Sequence, residues 1–236
     1  MKNGTIYLIP STIAKGVSPE TLTPQVSEAL LNTKYFVAEH IREARRFISS
    51  LRLGITIEDL NFSELNKRTS ADQIAELLQP ALDGNNLGVL SDAGCPGIAD
   101  PGADIVREAH QMGLRVVPLV GPSSIVLALM ASGLSGQNFR FTGYLPIDKK
   151  DLKHKINTLE NQSRREKETQ IFIETPYRTD KLLQQLLVTL NPATLLTVAK
   201  DLTGTSEHIL TMPVSDWKKY KMVIGKTPTV FLFLAM

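Results

Sequence analysis

The densest grouping of chemically useful residues is Ser91-Asp92-Ala93-Gly94-Cys95-Pro96-Gly97-Ile98-Ala99-Asp100-Pro101-Gly102, with three glycines and two prolines in twelve positions. Glycines let backbone N–H groups approach a ligand without side-chain obstruction, and prolines stiffen the turns between them. Asp92 can accept hydrogen bonds from ribose hydroxyls or an ammonium group. A plain structural connection with Asp100 capping the next helix also fits these residues. The loop is long for a strand-to-helix connection, usually about 2–6 residues, which keeps a binding role open beside the structural one. A second group, Val120-Gly121-Pro122-Ser123-Ser124, precedes an apolar helical run. Its serines suit a helix cap, and the N–H groups of that helix's first turn suit an anion. A third is Glu39-His40-Ile41-Arg42, which offers an ion pair, or a base beside a phosphate-binding guanidinium. Arg42, Arg45 and Arg46 share one helix face by three-and-four spacing, as a solvated surface or an RNA-phosphate patch would. Glu174-Thr175-Pro176-Tyr177-Arg178 and Ala199-Lys200-Asp201-Leu202-Thr203 read as junctions in the second half.

Other chemistries find little footing. His40, His110, His154 and His208 are scattered without metal-ligand spacing, and the single cysteine, Cys95, excludes an internal disulfide and a multi-cysteine metal site. Cys95 sits between Gly94 and Pro96 with no evident histidine partner, and reads better as a small buried filler than as a nucleophile. There is no Walker A sequence, no Gly-x-Ser-x-Gly elbow, and no Gly-x-Gly-x-x-Gly after the first strand. The balance of 26 basic against 24 acidic residues, a net +2, argues against a generic polyanion binder. The apolar runs 125–131 and 230–236 fall far short of the ~20 residues that cross a bilayer. The N-terminal stretch has no signal-peptide profile. A soluble cytoplasmic protein without a membrane partner is expected.

These groups need a scaffold, and 236 residues at 42% hydrophobic content suffice for one large α/β domain or two small ones. Periodicity predicts strands at 5–9, 35–39, 87–90 and 115–119, alternating with helices at 24–31, 41–51, 71–82, 103–111 and 124–131. That alternation implies a mostly parallel sheet with helices on both faces. Beyond 121–136, strands are predicted at 139–141, 170–174, 195–199, 208–211 and 229–234, with a helix at 178–190. Strands that follow one another without a helix favour mixed pairing. The stretch 148–168 holds seven basic and five acidic residues and reads as a solvated linker or an exposed helix. The expected domains are 1–120 and 121–236.

In sequence order, the chain resembles the tetrapyrrole (corrin/porphyrin) methylase family of S-adenosylmethionine-dependent methyltransferases. The likeness is nearest to that family's ribosomal RNA small subunit methyltransferase I branch. It rests on Gly4-Thr5-Ile6-Tyr7-Leu8-Ile9-Pro10, Val37-Ala38-Glu39, the 91–102 block, Val117-Pro118-Leu119-Val120-Gly121-Pro122-Ser123-Ser124, Ala131-Ser132-Gly133-Leu134, Phe141-Thr142-Gly143-Tyr144-Leu145-Pro146 and Glu174-Thr175-Pro176-Tyr177-Arg178. It implies a two-domain α/β fold, a mostly parallel first sheet and a mixed second one, a homodimer, and no metal. S-adenosylmethionine would lie between the domains and leave as S-adenosylhomocysteine. Pro10, Asp92, Gly94, Cys95, Gly97 and Ile98 would contact it from the first domain, with Ser123, Ser124 and Ile125 at the helix start. Phe172, Ala199, Pro228 and Thr229 would contribute from the second.

Glu39 would serve the acceptor chemistry, and Arg42 would clamp a phosphate or carboxylate. The implied acceptor is a ribose 2′-hydroxyl of small-subunit ribosomal RNA. A tetrapyrrole, another small molecule or a protein side chain remain alternatives, as does a non-catalytic donor-binding module. The sequence departs from the branch where Glu-Asp-Thr-Arg becomes Glu39-His40-Ile41-Arg42, where Thr-Pro-Ile-Gly-Asn becomes Pro10-Ser11-Thr12-Ile13-Ala14-Lys15, and where a His-Asn pair becomes Leu65-Asn66. The short C-terminal extension often seen in the branch is not in this sequence.

Overall fold

The structure, a computed structural model, describes residues 2–14, 19–66 and 68–236. Lys15, the last residue of the altered first loop, lies outside them. The chain groups into two compact units, Met1–Ser123 and Ser124–Met236.

In the first unit, β1 (Thr5–Ile9), β2 (Tyr35–Ala38), β3 (Asn61–Glu64), β4 (Leu87–Leu90) and β5 (Arg115–Pro118) form one sheet in the order β3-β2-β4-β1-β5. Every neighbouring pair is parallel. Alternate strand residues feed two separate cores, as the two-residue pleat dictates. Ile9, Phe36, Ala38 and Leu90 pack with Val26 and Leu30 of α1 (Pro24–Leu31) and with Ala44 and Ile48 of α2 (Ile41–Ser50). Ile6, Val37, Leu87 and Val89 pack with residues of α3 (Ala71–Leu77), α4 (Gln79–Leu82) and α5 (Gly102–Gln111), among them Ile74, Ala81, Ile105 and Ala109. Helices thus cover both faces, as a parallel sheet needs.

Two local expectations are corrected. The helix predicted over 71–82 breaks at Leu78 (φ −86°, ψ −8°), because Pro80 has no N–H for the i−4 carbonyl and its ring crowds that carbonyl. The edge strand β3 was not predicted, since its four residues are polar apart from Phe62 and stay largely exposed.

The second unit begins with α6 (Ser124–Ser132). Its sheet, ordered β6-β7-β10-β8-β9, comprises β6 (Phe139–Tyr144), β7 (Thr169–Glu174), β8 (Leu195–Lys200), β9 (His208–Pro213) and β10 (Thr229–Leu234). β6 and β7 are parallel and the remaining pairs antiparallel. The charged stretch resolves into the helix α7 (Lys149–Glu166), capped by Asp148, whose carboxylate accepts from the N–H groups of Lys150 and Asp151 at 2.8 and 3.1 Å. Leu152, Ile156, Leu159, Glu160 and Ser163 form its buried stripe. Glu160 is not stranded there, because it accepts from Asn191 N–H at 2.8 Å and Thr194 Oγ1 at 2.5 Å. α8 (Thr179–Thr189) and the short α9 (Val214–Trp217), which the periodicity did not signal, complete the unit. Among the described residues no helix is long and apolar enough to cross a bilayer.

Candidate functional site at the carboxyl rim of the parallel sheet

β1 and β4 are neighbours, yet β1 leads to β2 beyond β4 while β4 leads to β5 beyond β1. Where adjacent parallel strands send their chains in opposite directions, the loops at their carboxyl ends part and leave a crevice. Ligands bind α/β sheets at such points. The two diverging loops here are the one after Ile9 and the glycine-rich block after Leu90, and Ile9 and Leu90 are paired in register.

Backbone and side-chain bonds hold these loops in place. Ser11, 2% exposed, donates its N–H to the Gly94 carbonyl at 2.9 Å and its hydroxyl to the Ser91 carbonyl at 3.0 Å. Gly94 and Gly97 adopt φ of 74° and 84°, which favour glycine, and Ala99 shares that region at 64°. Asp100 Oδ1 accepts from the N–H groups of Gly97 and Gly102 at 2.8 and 2.7 Å, so the structural role for Asp100 is real. The Cys95 thiol donates to the Pro122 carbonyl at 3.3 Å, and burial pushes its pKa up. It is a tie to the loop after β5, poorly disposed to form a thiolate. On the same loop, a Cβ at Gly121 would overlap the Pro10 ring, so the two segments touch because position 121 has no side chain.

Asp92 stands exposed on this rim. Its Oδ2 lies 2.6 Å from His40 Nδ1, which brings the Glu39-His40-Ile41-Arg42 segment to the glycine-rich loop. The register explains the meeting: Ala38 of β2 is paired with Leu90 of β4, and His40 and Asp92 each stand two residues beyond. The hydrogen bond to Asp92 is the main cause raising the His40 pKa above 6.5. The Asp92 charge adds to it, desolvation opposes it, and Glu39 and Glu64 push upward more weakly. Glu64 ends β3 in register with Ala38 and so joins this acidic edge.

Arg42 is exposed and makes no ion pair among the described residues. Its expected companions are engaged, Arg46 with Glu43 at 2.9 Å and Arg45 over the Phe62 ring at 5.2 Å. The arginine face thus reduces to one guanidinium, that of exposed Arg42, without an ion-pair partner among the described residues.

The second unit collects its own set. Thr229 is paired with both Glu174 and Lys200, and Val230 with Ala199. Phe172 and Ala199 are fully buried, Thr229 is 5% exposed, and Pro228 is exposed. Glu174 is bound to Arg178 at 2.6 Å and acts as a structural ion pair at the β7–α8 junction. Ser124 and Ile125 open α6, while Ser123 closes the first unit.

Sequence reasoning took Asp92, Glu39 and Arg42 as site residues, and noted His40 and Ser11 only as neighbours within their segments, without a role. Each acts through a partner 52 or about 80 positions away, which the local pattern does not signal. Among the described residues no group of three or more histidine, cysteine or carboxylate side chains could hold a metal.

Comparison with known proteins gives a consistent picture. Residues 16–217 match the model of the Tetrapyrrole (Corrin/Porphyrin) Methylases. Ribosomal RNA small subunit methyltransferase I of Vibrio cholerae is 31% identical over 89% of this chain and 69% of its own length. The Bacillus subtilis protein of the same name is 31% identical over 94% and 73%. Among solved structures, the methyltransferase CobJ aligns over 100% of this chain and 95% of its own, with TM-score 0.64 and 20% identity. Uroporphyrin-III-C-methyltransferase from Thermus thermophilus aligns over 98% and 94%, with TM-score 0.59 and 17% identity. At those identities the two structures speak for the fold alone.

Proposed function

This chain belongs to the tetrapyrrole methylase family of S-adenosylmethionine-dependent methyltransferases, and we propose that it methylates a ribose 2′-hydroxyl of small-subunit ribosomal RNA. The observation that carries the reading is the exposed Asp92 carboxylate on the braced rim, joined through His40 to a segment that presents an unpaired Arg42. The names of its curated relatives favour RNA as acceptor.

The residues present fit the methyl donor. Among the described residues Asp92 commits Oδ2 to His40, leaving Oδ1 for ribose hydroxyls or the donor's ammonium. The backbone of Gly94, Cys95, Gly97 and Ile98, fixed by Ser11 and Asp100, offers a surface free of bulky side chains at its two glycines. Pro10 packs against Gly121 of the loop after β5, and Ser123, Ser124, Ile125, Pro228 and Thr229 are the further contacts proposed. Phe172 and Ala199, being fully buried, would act by shaping the strands that carry Glu174 and Thr229. When bound, the donor supplies a methyl group on a sulfonium, open to in-line displacement. Holding acceptor and methyl group aligned is the protein's main contribution, worth up to ~7–11 kcal/mol. Arg42 holds an acceptor phosphate, and Glu39 steadies the segment that faces the acceptor. We place this activity in the cytoplasm, on a homodimer, which light scattering on the purified protein would test.

Titration calorimetry with S-adenosylmethionine and S-adenosylhomocysteine is the first test. Asp92→Ala should weaken binding at least about 10-fold, as loss of a charge-assisted hydrogen bond implies. Labelled methyl from the donor should then appear on ribose in small ribosomal subunits. Label entering a tetrapyrrole or a protein in place of RNA would reassign the acceptor, and absence of donor binding to folded protein would refute the reading.

A further inference from the structure

We propose that His40 is the general base that takes the proton from the acceptor hydroxyl, with Asp92 orienting its ring. The inference rests on the RNA ribose reading and deepens it by naming where the proton goes.

The geometry is that of a carboxylate-oriented imidazole. A carboxylate can only accept a hydrogen bond, so at 2.6 Å the Nδ1 atom of His40 must carry the hydrogen and donate it to Asp92 Oδ2. That fixes the neutral tautomer with a lone pair on Nε2, the form a base needs. The arrangement matches the logic by which an aspartate orients a catalytic histidine in hydrolases. The side chain of His40 is 63% exposed, so Nε2 has an open approach. Two elements position the pair: β2 delivers His40 and β4 delivers Asp92, from strands locked at Ala38 and Leu90. Among the described residues, the charged groups acting on the ring are Asp92, Glu39 and Glu64, all anionic, and they favour the imidazolium that forms when the proton arrives. Glu39 is half-buried and one residue from the end of a buried strand. It therefore supports that charge, leaving proton transfer to the ring.

The step balances. As the acceptor oxygen bonds to the methyl carbon, the carbon–sulfur bond breaks and its electron pair stays on sulfur, which becomes a neutral thioether. The hydroxyl proton passes to Nε2 and later leaves to solvent. A neutral ring is required, so turnover should rise with pH through the His40 pKa, at a point above 6.5 because the neighbouring carboxylates raise it. Asp92 thereby serves two partners with two oxygens.

Two variants separate base from support. His40→Asn retains an amide N–H near the Nδ1 position to hold Asp92 but has no basic nitrogen, whereas His40→Ala removes both. With small ribosomal subunits as acceptor, both variants should lose at least about 100-fold in kcat, within the usual range for a general base. His40→Asn should keep wild-type donor affinity by calorimetry and lose the rising limb of the pH profile. Full activity in His40→Asn with loss only in His40→Ala would overturn the proposal and make His40 a positioning residue. Full activity in both would remove it from the reaction. A measurement without turnover reads the same geometry: long-range ¹⁵N spectra of ligand-free protein, with the His40 signals identified by their absence in His40→Asn. The Nδ1–H tautomer and a titration above 6.5 are expected, and a dominant Nε2–H tautomer would overturn the proposal. Wild type that binds donor yet methylates no RNA would instead refute the acceptor reading, and this inference with it.

Discussion

At the scale of single residues, the His40–Asp92 pair ties stability to pH as well as chemistry to geometry. The folded-state pKa of His40 lies above the unfolded value near 6.5. The pair's contribution is therefore complete below that value and disappears as pH rises through the folded pKa. With side chains 63% and 40% exposed, solvent screening keeps the effect within about 0.2–1 kcal/mol. Thermal melts from pH 5 to 9 should show wild type losing a small advantage over His40→Asn across that window. Arg42→Ala should raise KM for RNA, leave donor affinity unchanged and reduce the slope of log affinity against log salt by about one, as filter binding at several salt concentrations would show. Asp92 was legible in the sequence because glycines and prolines mark a built loop. Its partner was not: the two meet only through the pairing of Ala38 with Leu90, a tertiary fact that no local pattern encodes.

The elements explain how rigidly the rim is held. The segments after β1 and β5 approach because Gly121 has no Cβ to strike Pro10. Gly121→Ala must push the loops apart, and we expect it to weaken donor binding more than it lowers Tm, when calorimetry is compared with thermal unfolding. In α7, Ile156 is fully buried in the second unit's core, and Ile156→Ala should cost about 2–5 kcal/mol in urea unfolding. Strands β1, β2, β4 and β5 could be read from short apolar runs, and α1, α2 and α5 from their spacing and flanking turns. α7 stayed ambiguous because its charge mixture conceals a stripe of only a few apolar residues. β3 escaped because an edge strand with one apolar side chain carries no alternation signal, and the break at Leu78 needed Pro80 to be weighed above the periodicity.

Across the whole molecule, two sheets of different construction are visible already in the order of the sequence. Strand–helix alternation marks the parallel half, and successive strands mark the mixed half. What that order conceals is spatial rank. β10, the last strand of the second sheet in sequence, sits between β7 and β8 and pairs with β7 along Thr229–Phe233 and with β8 along Thr229–Leu234. The ribosome delivers β7 and β8 first, so each must wait with an open edge for the strand that fills the gap. The first sheet waits in the same way for β4, which fills the place between β2 and β1 after both are made, but its gap closes before any strand of the second unit is synthesised. A nascent chain halted before Thr229 should therefore carry a protease-resistant first unit and a digestible, aggregation-prone second one, as limited proteolysis of stalled chains would show. The timing of synthesis thus gives the second half an interval of vulnerability in which a chaperone would find its substrate.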